Sequence, residues 1–154
     1  IKTLKHLSLL GTRVGDAGLT QLAASPGLAE LFLHGTKVTD AGLKPLKGMK
    51  SLTHLSLRAT GITDAGLAHL AGMAELSGLD LAFTRIGDAG IERLKGLKGL
   101  KSLNIAETDV TDRSIPIIGG FERLEFINPR DSKITDAGEE QLQKLLPKLE
   151  IDHG

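Results

Sequence analysis

The stretch VTDAGLKPLKGMKSL at 38–52 recurs as ITDAGLAHLAGMAEL at 62–76, 24 residues further on. The same step runs through the chain. Leu4, Leu28, Leu52, Leu76, Leu100 and Leu124 keep it, as do Asp16, Asp40, Asp64, Asp88, Asp112 and Asp136. A hydroxyl column (Thr12, Thr36, Thr60, Thr84, Thr108, Ser132) and an aliphatic one (Val14, Val38, Ile62, Ile86, Val110, Ile134) hold the same register. A period of this size marks a stack of like units, each too small to bury its apolar face alone.

One unit reads LxxLxLxxTx[IV]xDAGLxxL plus a short tail. Its alternating leucines, as at Leu55 and Leu57, have strand periodicity, whereas Leu67 and Leu70 are spaced by three and suit one or two helical turns. The Asp ahead of that turn is expected to accept hydrogen bonds from free backbone N–H groups and to favour the positive helix end. The glycine after Asp-Ala (Gly18, Gly42, Gly66, Gly90, Gly138) weakens a helix but leaves room for neighbouring coils to approach closely. Stacked copies then give an α/β right-handed solenoid, with a parallel sheet on the concave face, short helices on the convex face and a continuous leucine core between them. The Thr column forms a ladder just past the strands, its hydroxyls bonding backbone groups of the turns.

This unit resembles the leucine-rich repeats of bacterial proteins whose consensus runs LxxLxLxxTxITDAGLxxLxxL, a ribonuclease-inhibitor-like horseshoe. The resemblance covers residues 4–146. The closing QLQKLLPKLEIDHG is similar to the end of many such arrays, where a helix stops at Leu-Pro and a short strand follows. It implies one domain over 1–154, a protein-interaction scaffold, and no shared catalytic residues or cofactor.

Departures from the unit are informative. Repeat five reads TDRSIPIIGGFERL, with Arg113 and Ser114 in place of Ala-Gly and Pro116 in the helical part, which predicts a shorter, irregular coil. In repeat six Pro129 takes the place of the third strand leucine and Glu139 that of a helix-face leucine, the decay expected of a terminal repeat. Ile1-Lys2-Thr3 match the tail of a preceding unit (compare Met49-Lys50-Ser51). The chain therefore reads as starting inside a repeat, which predicts a fragment of a longer protein or an N-terminal repeat end that self-associates.

Lys plus Arg and Asp plus Glu each number 19, so the molecule as a whole offers no attractive field for nucleic acid or an anionic membrane. The lysines of KPLKGMK and RLKGLKGLK map to the helical side of the unit and read as a solvated face. No cysteine is present, which excludes disulfides and thiolate metal sites, and no apolar run approaches the ~20 residues needed for a membrane-spanning helix.

With the leucines turned inward, the residues between them form three outward rows. They are His6, Glu30, His54, Gly78, Ser102, Phe126; Ser8, Phe32, Ser56, Asp80, Asn104, Asn128; and Leu10, His34, Arg58, Ala82, Ala106, Arg130. Row neighbours are expected ~4.8 Å apart, the strand spacing. Phe32 and Phe126 are half of the four phenylalanines, yet fall on the solvent face, and exposed aromatics beside Arg favour binding hot spots. Phe32 with Glu30, His34, His54 and Arg58 makes a mixed patch, while Asp80, Asn104 and Asn128 make the other half neutral to acidic. The rows predict a non-enzymatic module that binds a protein or peptide through Glu30, Phe32, His34, His54, Ser56, Arg58, Asp80, Asn104, Phe126, Asn128 and Arg130. A different class is open in the His6–Glu30–His54 row, whose types match a His₂Glu zinc set although the outer two start ~9.6 Å apart. That row would make the chain part of a metal-dependent enzyme.

Overall fold

A computed structural model describes residues 4–22, 24–25 and 27–153; the Ile1–Thr3 match to a repeat tail lies outside them. Seven strands form one parallel sheet in chain order: β1 (His6–Ser8), β2 (Glu30–Phe32), β3 (His54–Ser56), β4 (Gly78–Asp80), β5 (Ser102–Asn104), β6 (Phe126–Asn128) and β7 (Glu150–Ile151). Helices return the chain between them: α1 (Asp16–Leu22), α2 (Asp40–Leu43), α3 (Asp64–Leu67), α4 (Asp88–Arg93), α5 (Ile115–Ile118) and α6 (Asp136–Leu145). Through β6 the pairing register equals the sequence period, so His6 faces Glu30, Glu30 faces His54 and His54 faces Gly78.

The leucine columns do fill the core. Leu28, Leu52, Leu76 and Leu100 are fully buried, as are Leu31, Leu103 and the strand-end residues Leu33, Leu57, Leu81 and Ile105. Strands are only three residues long, because the turn after them bends into the left-handed region. Gly11 and Gly35 have φ of 64° and 66°, and Ala59, Phe83, Glu107 and Asp131 repeat that conformation at 52–57°. The third outward row therefore lies in these turns and not on the strands, a correction to the sequence reading. The Thr ladder is present: the hydroxyls of Thr12, Thr36, Thr60, Thr84 and Thr108 donate to the carbonyl three residues back at 2.5–2.7 Å. Ser132 departs from it, its hydroxyl accepting from Ile134 N.

The Asp column does something other than cap its own helix. Asp40 Oδ1 accepts from Thr63 N at 2.7 Å, and Asp40 Oδ2 accepts from the Thr63 hydroxyl at 2.7 Å. Asp16 to Thr39, Asp88 to Thr111 and Asp112 to Thr135 repeat this pair of bonds, so each carboxylate ties its coil to the next. The reason is reach: the carboxylate meets the donor of the Thr that precedes the next helix, whose own N–H is otherwise unpaired at a helix start. The glycine of Asp-Ala-Gly makes space for it. A Cβ on Gly42, Gly66, Gly90 or Gly138 would collide with the carboxylate of the preceding coil. Where Ser114 replaces that glycine, its hydroxyl donates to Asp88 Oδ1 at 2.6 Å. Burial raises the Asp88 pKa, but the bonds from Ser114 and from Thr111, with the Arg113 charge, outweigh it and hold the carboxyl below its ordinary range.

One lock is incomplete. Asp64 Oδ1 accepts from Gly87 N at 2.7 Å, and no hydroxyl is there for the other oxygen. Gly87 has φ −129° and ψ −162°, close to Thr63 at −131° and 179°, and an added Cβ would meet nothing nearer than Asp109 O at 3.7 Å. Gly87→Thr should therefore raise stability by about 1–2 kcal/mol, from the restored charge-assisted hydrogen bond and a less flexible unfolded chain. Urea unfolding of the two proteins checks this; a lower midpoint for the variant would refute the lock.

Repeat five is irregular as expected, a 3₁₀ turn over Asp112–Ser114 running into α5 with Pro116 in its first turn. The chain ends as the resemblance implies: α6 stops ahead of Pro147 and β7 pairs beside β6. Gln143 fastens this corner, its side-chain amide donating to Pro147 O and Leu149 O at 3.2 Å each. Leu4, Leu7, Leu9 and Val14 of the first coil are half-buried, unlike their counterparts further along.

Candidate functional site

The open face of the sheet holds a groove of about 600 Å³. It crosses six strands, from Ser8 of β1 to Phe126 of β6, and short side chains make much of its floor: Ser56, Gly78 and Ser102, with Leu55 and Leu79 beneath. This shape follows from the row composition. Gly78 has no side chain, and the His54 ring lies across it, so that a Cβ there would strike the imidazole. Phe32, 38 % exposed, stands toward one end, and the half-buried Phe126 toward the other.

Of the residues named from sequence, Phe32, His34, His54, Ser56, Asp80, Asn104 and Phe126 line this groove together. Arg58, Asn128 and Arg130 lie instead in a separate cleft of about 290 Å³ at the strand ends, with Phe83, Glu107 and Asp131. Glu30 lines neither, its carboxylate lying 2.8 Å from His6 Nδ1.

Several of these polar groups are already engaged. Asp80 Oδ1, Asn104 Oδ1 and Asn128 Oδ1 each accept from the backbone N–H two residues on, at 3.0–3.1 Å, and so fix the turn after their strand. The Ser56 hydroxyl donates to Asp80 Oδ2 at 2.9 Å, and Asn128 donates its other amide arm to Asp152.

Phe83 is the residue that sequence reasoning missed. It is 47 % exposed at φ 57°, and the Arg58 guanidinium lies 4.4 Å from its ring centroid. A signal existed: Phe83 stands in the column Gly11, Gly35, Ala59, where the first two coils use the one residue that accepts a left-handed turn freely. A bulky ring kept there, largely in solvent, is a cost to the fold.

The His6–Glu30–His54 row does not converge. Glu30 turns to His6, while His54 leans toward Gly78 and its Nδ1 lies 3.0 Å from the Thr53 hydroxyl. Among the described residues no group of three or more His, Asp or Glu is placed to hold a metal ion. The lysine runs lie outside the core as expected, with Leu94, Leu97 and Leu100 buried and each followed by an exposed lysine, Lys95, Lys98 and Lys101. No helix among the described residues is long and apolar enough to cross a membrane.

The Leucine Rich repeat family matches residues 48–71 and 76–95, the third and fourth coils of this stack. The fold is a leucine-rich-repeat solenoid. It is similar to that of an internalin, InlF, from Listeria monocytogenes, with a TM-score of 0.79 at 24 % identity, over 97 % of this chain and 47 % of that one. A second internalin from the same organism, InlC2, is similar at a TM-score of 0.68 and 27 % identity, over 95 % of this chain and 69 % of that one. The leucine-rich-repeat chain thus spans about half the length of the first of these structures. No curated protein matches it significantly.

Proposed function

We propose that this leucine-rich-repeat protein is a non-enzymatic binding module that takes a protein or peptide on the concave face of its sheet. The observation that carries this reading is the groove with phenylalanines toward both ends and short side chains between them. Aromatic anchors beside a small-residue floor offer apolar area with little side-chain entropy to lose. The stacked array orders that surface before a partner arrives, so rigid complementarity suffices. An open groove across a sheet also excludes water poorly, which disfavours catalysis. The family and the internalin likeness add support, since such folds typically serve as interaction modules.

The test is affinity capture from lysate beside a Phe32→Ala/Arg58→Glu double variant, which alters the groove and the neighbouring cleft together. The variant is expected to lose its partner by at least about tenfold, the effect of one hot-spot residue, while its unfolding midpoint holds. Identical capture by both proteins would sink the concave-face reading. It would shift attention to association through the edge at β1, where Leu4, Leu7, Leu9 and Val14 are only half-buried.

A further inference from the structure

We infer that the groove takes an extended peptide segment with a lysine or arginine opposite Asp80 and apolar side chains about three positions to either side. This rests on the concave-face reading and adds the chemistry of the ligand.

The charges of the groove point this way. Asp80 is the one acidic residue in its lining, and neither Lys nor Arg lines it; His34 and His54 are the other titratable groups there. Among the described residues no Lys or Arg pairs with Asp80. Arg58, one strand away, is stacked on Phe83 in the neighbouring cleft.

Nor does the fold need that charge. Asp80 Oδ1 accepts from Ala82 N at 3.1 Å, and the amide oxygens of Asn104 and Asn128 accept the same bond in the next two coils at 3.1 and 3.0 Å. An asparagine thus satisfies this turn. At Asp80 its NH₂ could also meet the Ser56 hydroxyl, which now donates to Oδ2. A half-buried carboxylate loses hydration, and the turn bond can be made by an amide oxygen without that loss, as at Asn104 and Asn128. Besides strengthening these two bonds, the carboxylate offers what an amide lacks, attraction for a cation from outside.

Geometry sets the spacing. Phe32 lies in the same row as Asp80, two strands before it, and Phe126 lies two strands after it in the first row. Two strand spacings are roughly 10 Å, and an extended chain rises about 3.3 Å per residue, which places the apolar contacts about three residues from the cation. Five spacings between β1 and β6 make the groove roughly 24 Å long, the span of about seven extended residues. That length suits a peptide segment better than a compact small molecule.

The test is selection of a phage-displayed random dodecapeptide library on the full chain, on Asp80→Asn and on Phe32→Ala. Peptides enriched on the unaltered chain are expected to carry Lys or Arg with an aliphatic or aromatic residue about three positions away. A synthetic peptide of that consensus should bind Asp80→Asn at least tenfold more weakly, with thermal unfolding unchanged. Replacing its cation by glutamine should cost the same factor on the unaltered chain and almost nothing on Asp80→Asn. The peptide-side loss on the unaltered chain can be read even if the variant folds poorly, and no loss there would overturn the assignment. Enriched peptides that lack a cation but need Phe32 would leave the concave-face reading standing and overturn the assignment to Asp80. Enrichment of acidic peptides would overturn it too, and no enrichment on the unaltered chain would overturn both.

Discussion

Gly66→Ala should lower the unfolding free energy by about 2–3 kcal/mol, although alanine is the better helix former by about 1 kcal/mol. The new methyl would land on the Asp40 carboxylate, with Asp40 Cγ and Leu43 Cδ1 each at 3.1 Å. Moving that carboxylate frees Thr63 N and the Thr63 hydroxyl from their 2.7 Å bonds, so the loss combines overpacking with two broken hydrogen bonds. Two comparisons separate this cause from ordinary helix effects. In an Asp40→Ala background only Leu43 Cδ1 still crowds the methyl, and the cost of Gly66→Ala should fall to less than about 1 kcal/mol. Gly66→Ser should cost less than Gly66→Ala, because Ser114 already shows a hydroxyl donating to the equivalent carboxylate. Urea unfolding of the four-member cycle measures the coupling. Equal costs of Gly66→Ala in both backgrounds would show that the glycine is there for another reason.

This pairing explains what the sequence could and could not reveal. Every coil contact that joins equal positions was legible, because a 24-residue period projects directly onto the strand register, as with His54 beside Gly78. The lock joins unequal positions: Asp40 meets Thr63 and Gly66, which are 23 and 26 residues on. Overlaying the repeats displays the Asp and Gly columns side by side within one coil, and so suggests a local cap when the partners lie in the next. The rows were legible in the same way up to the end of each strand. The third row was misplaced because the left-handed turn residue is glycine only at Gly11 and Gly35, and later coils reach the same conformation without it. Which polar side chains are spent on the turn, as at Asn104, depends on distances of a few ångströms and has no counterpart in spacing.

The four phenylalanines give the sharpest division between scaffold and site. Phe121→Ala should cost about 3–5 kcal/mol, the range for emptying a fully buried aromatic position, since Phe121 has no exposed surface. It occupies the column of Met49, Met73 and Leu97, all buried, so Phe121→Leu should cost only about 1 kcal/mol. Phe32→Ala and Phe83→Ala should each cost less than about 1 kcal/mol, because these rings are 38 % and 47 % exposed. Alanine at position 83 also suits the turn about as well as Ala59 does in the coil before. Calorimetric melting of the four variants provides the ranking. A residue that can be removed without loss of fold is kept for its surface, and Phe32→Ala should then show in binding what it does not show in melting. A large loss of stability from Phe32→Ala would instead make that ring part of the scaffold and leave the groove with Phe126 alone as an anchor.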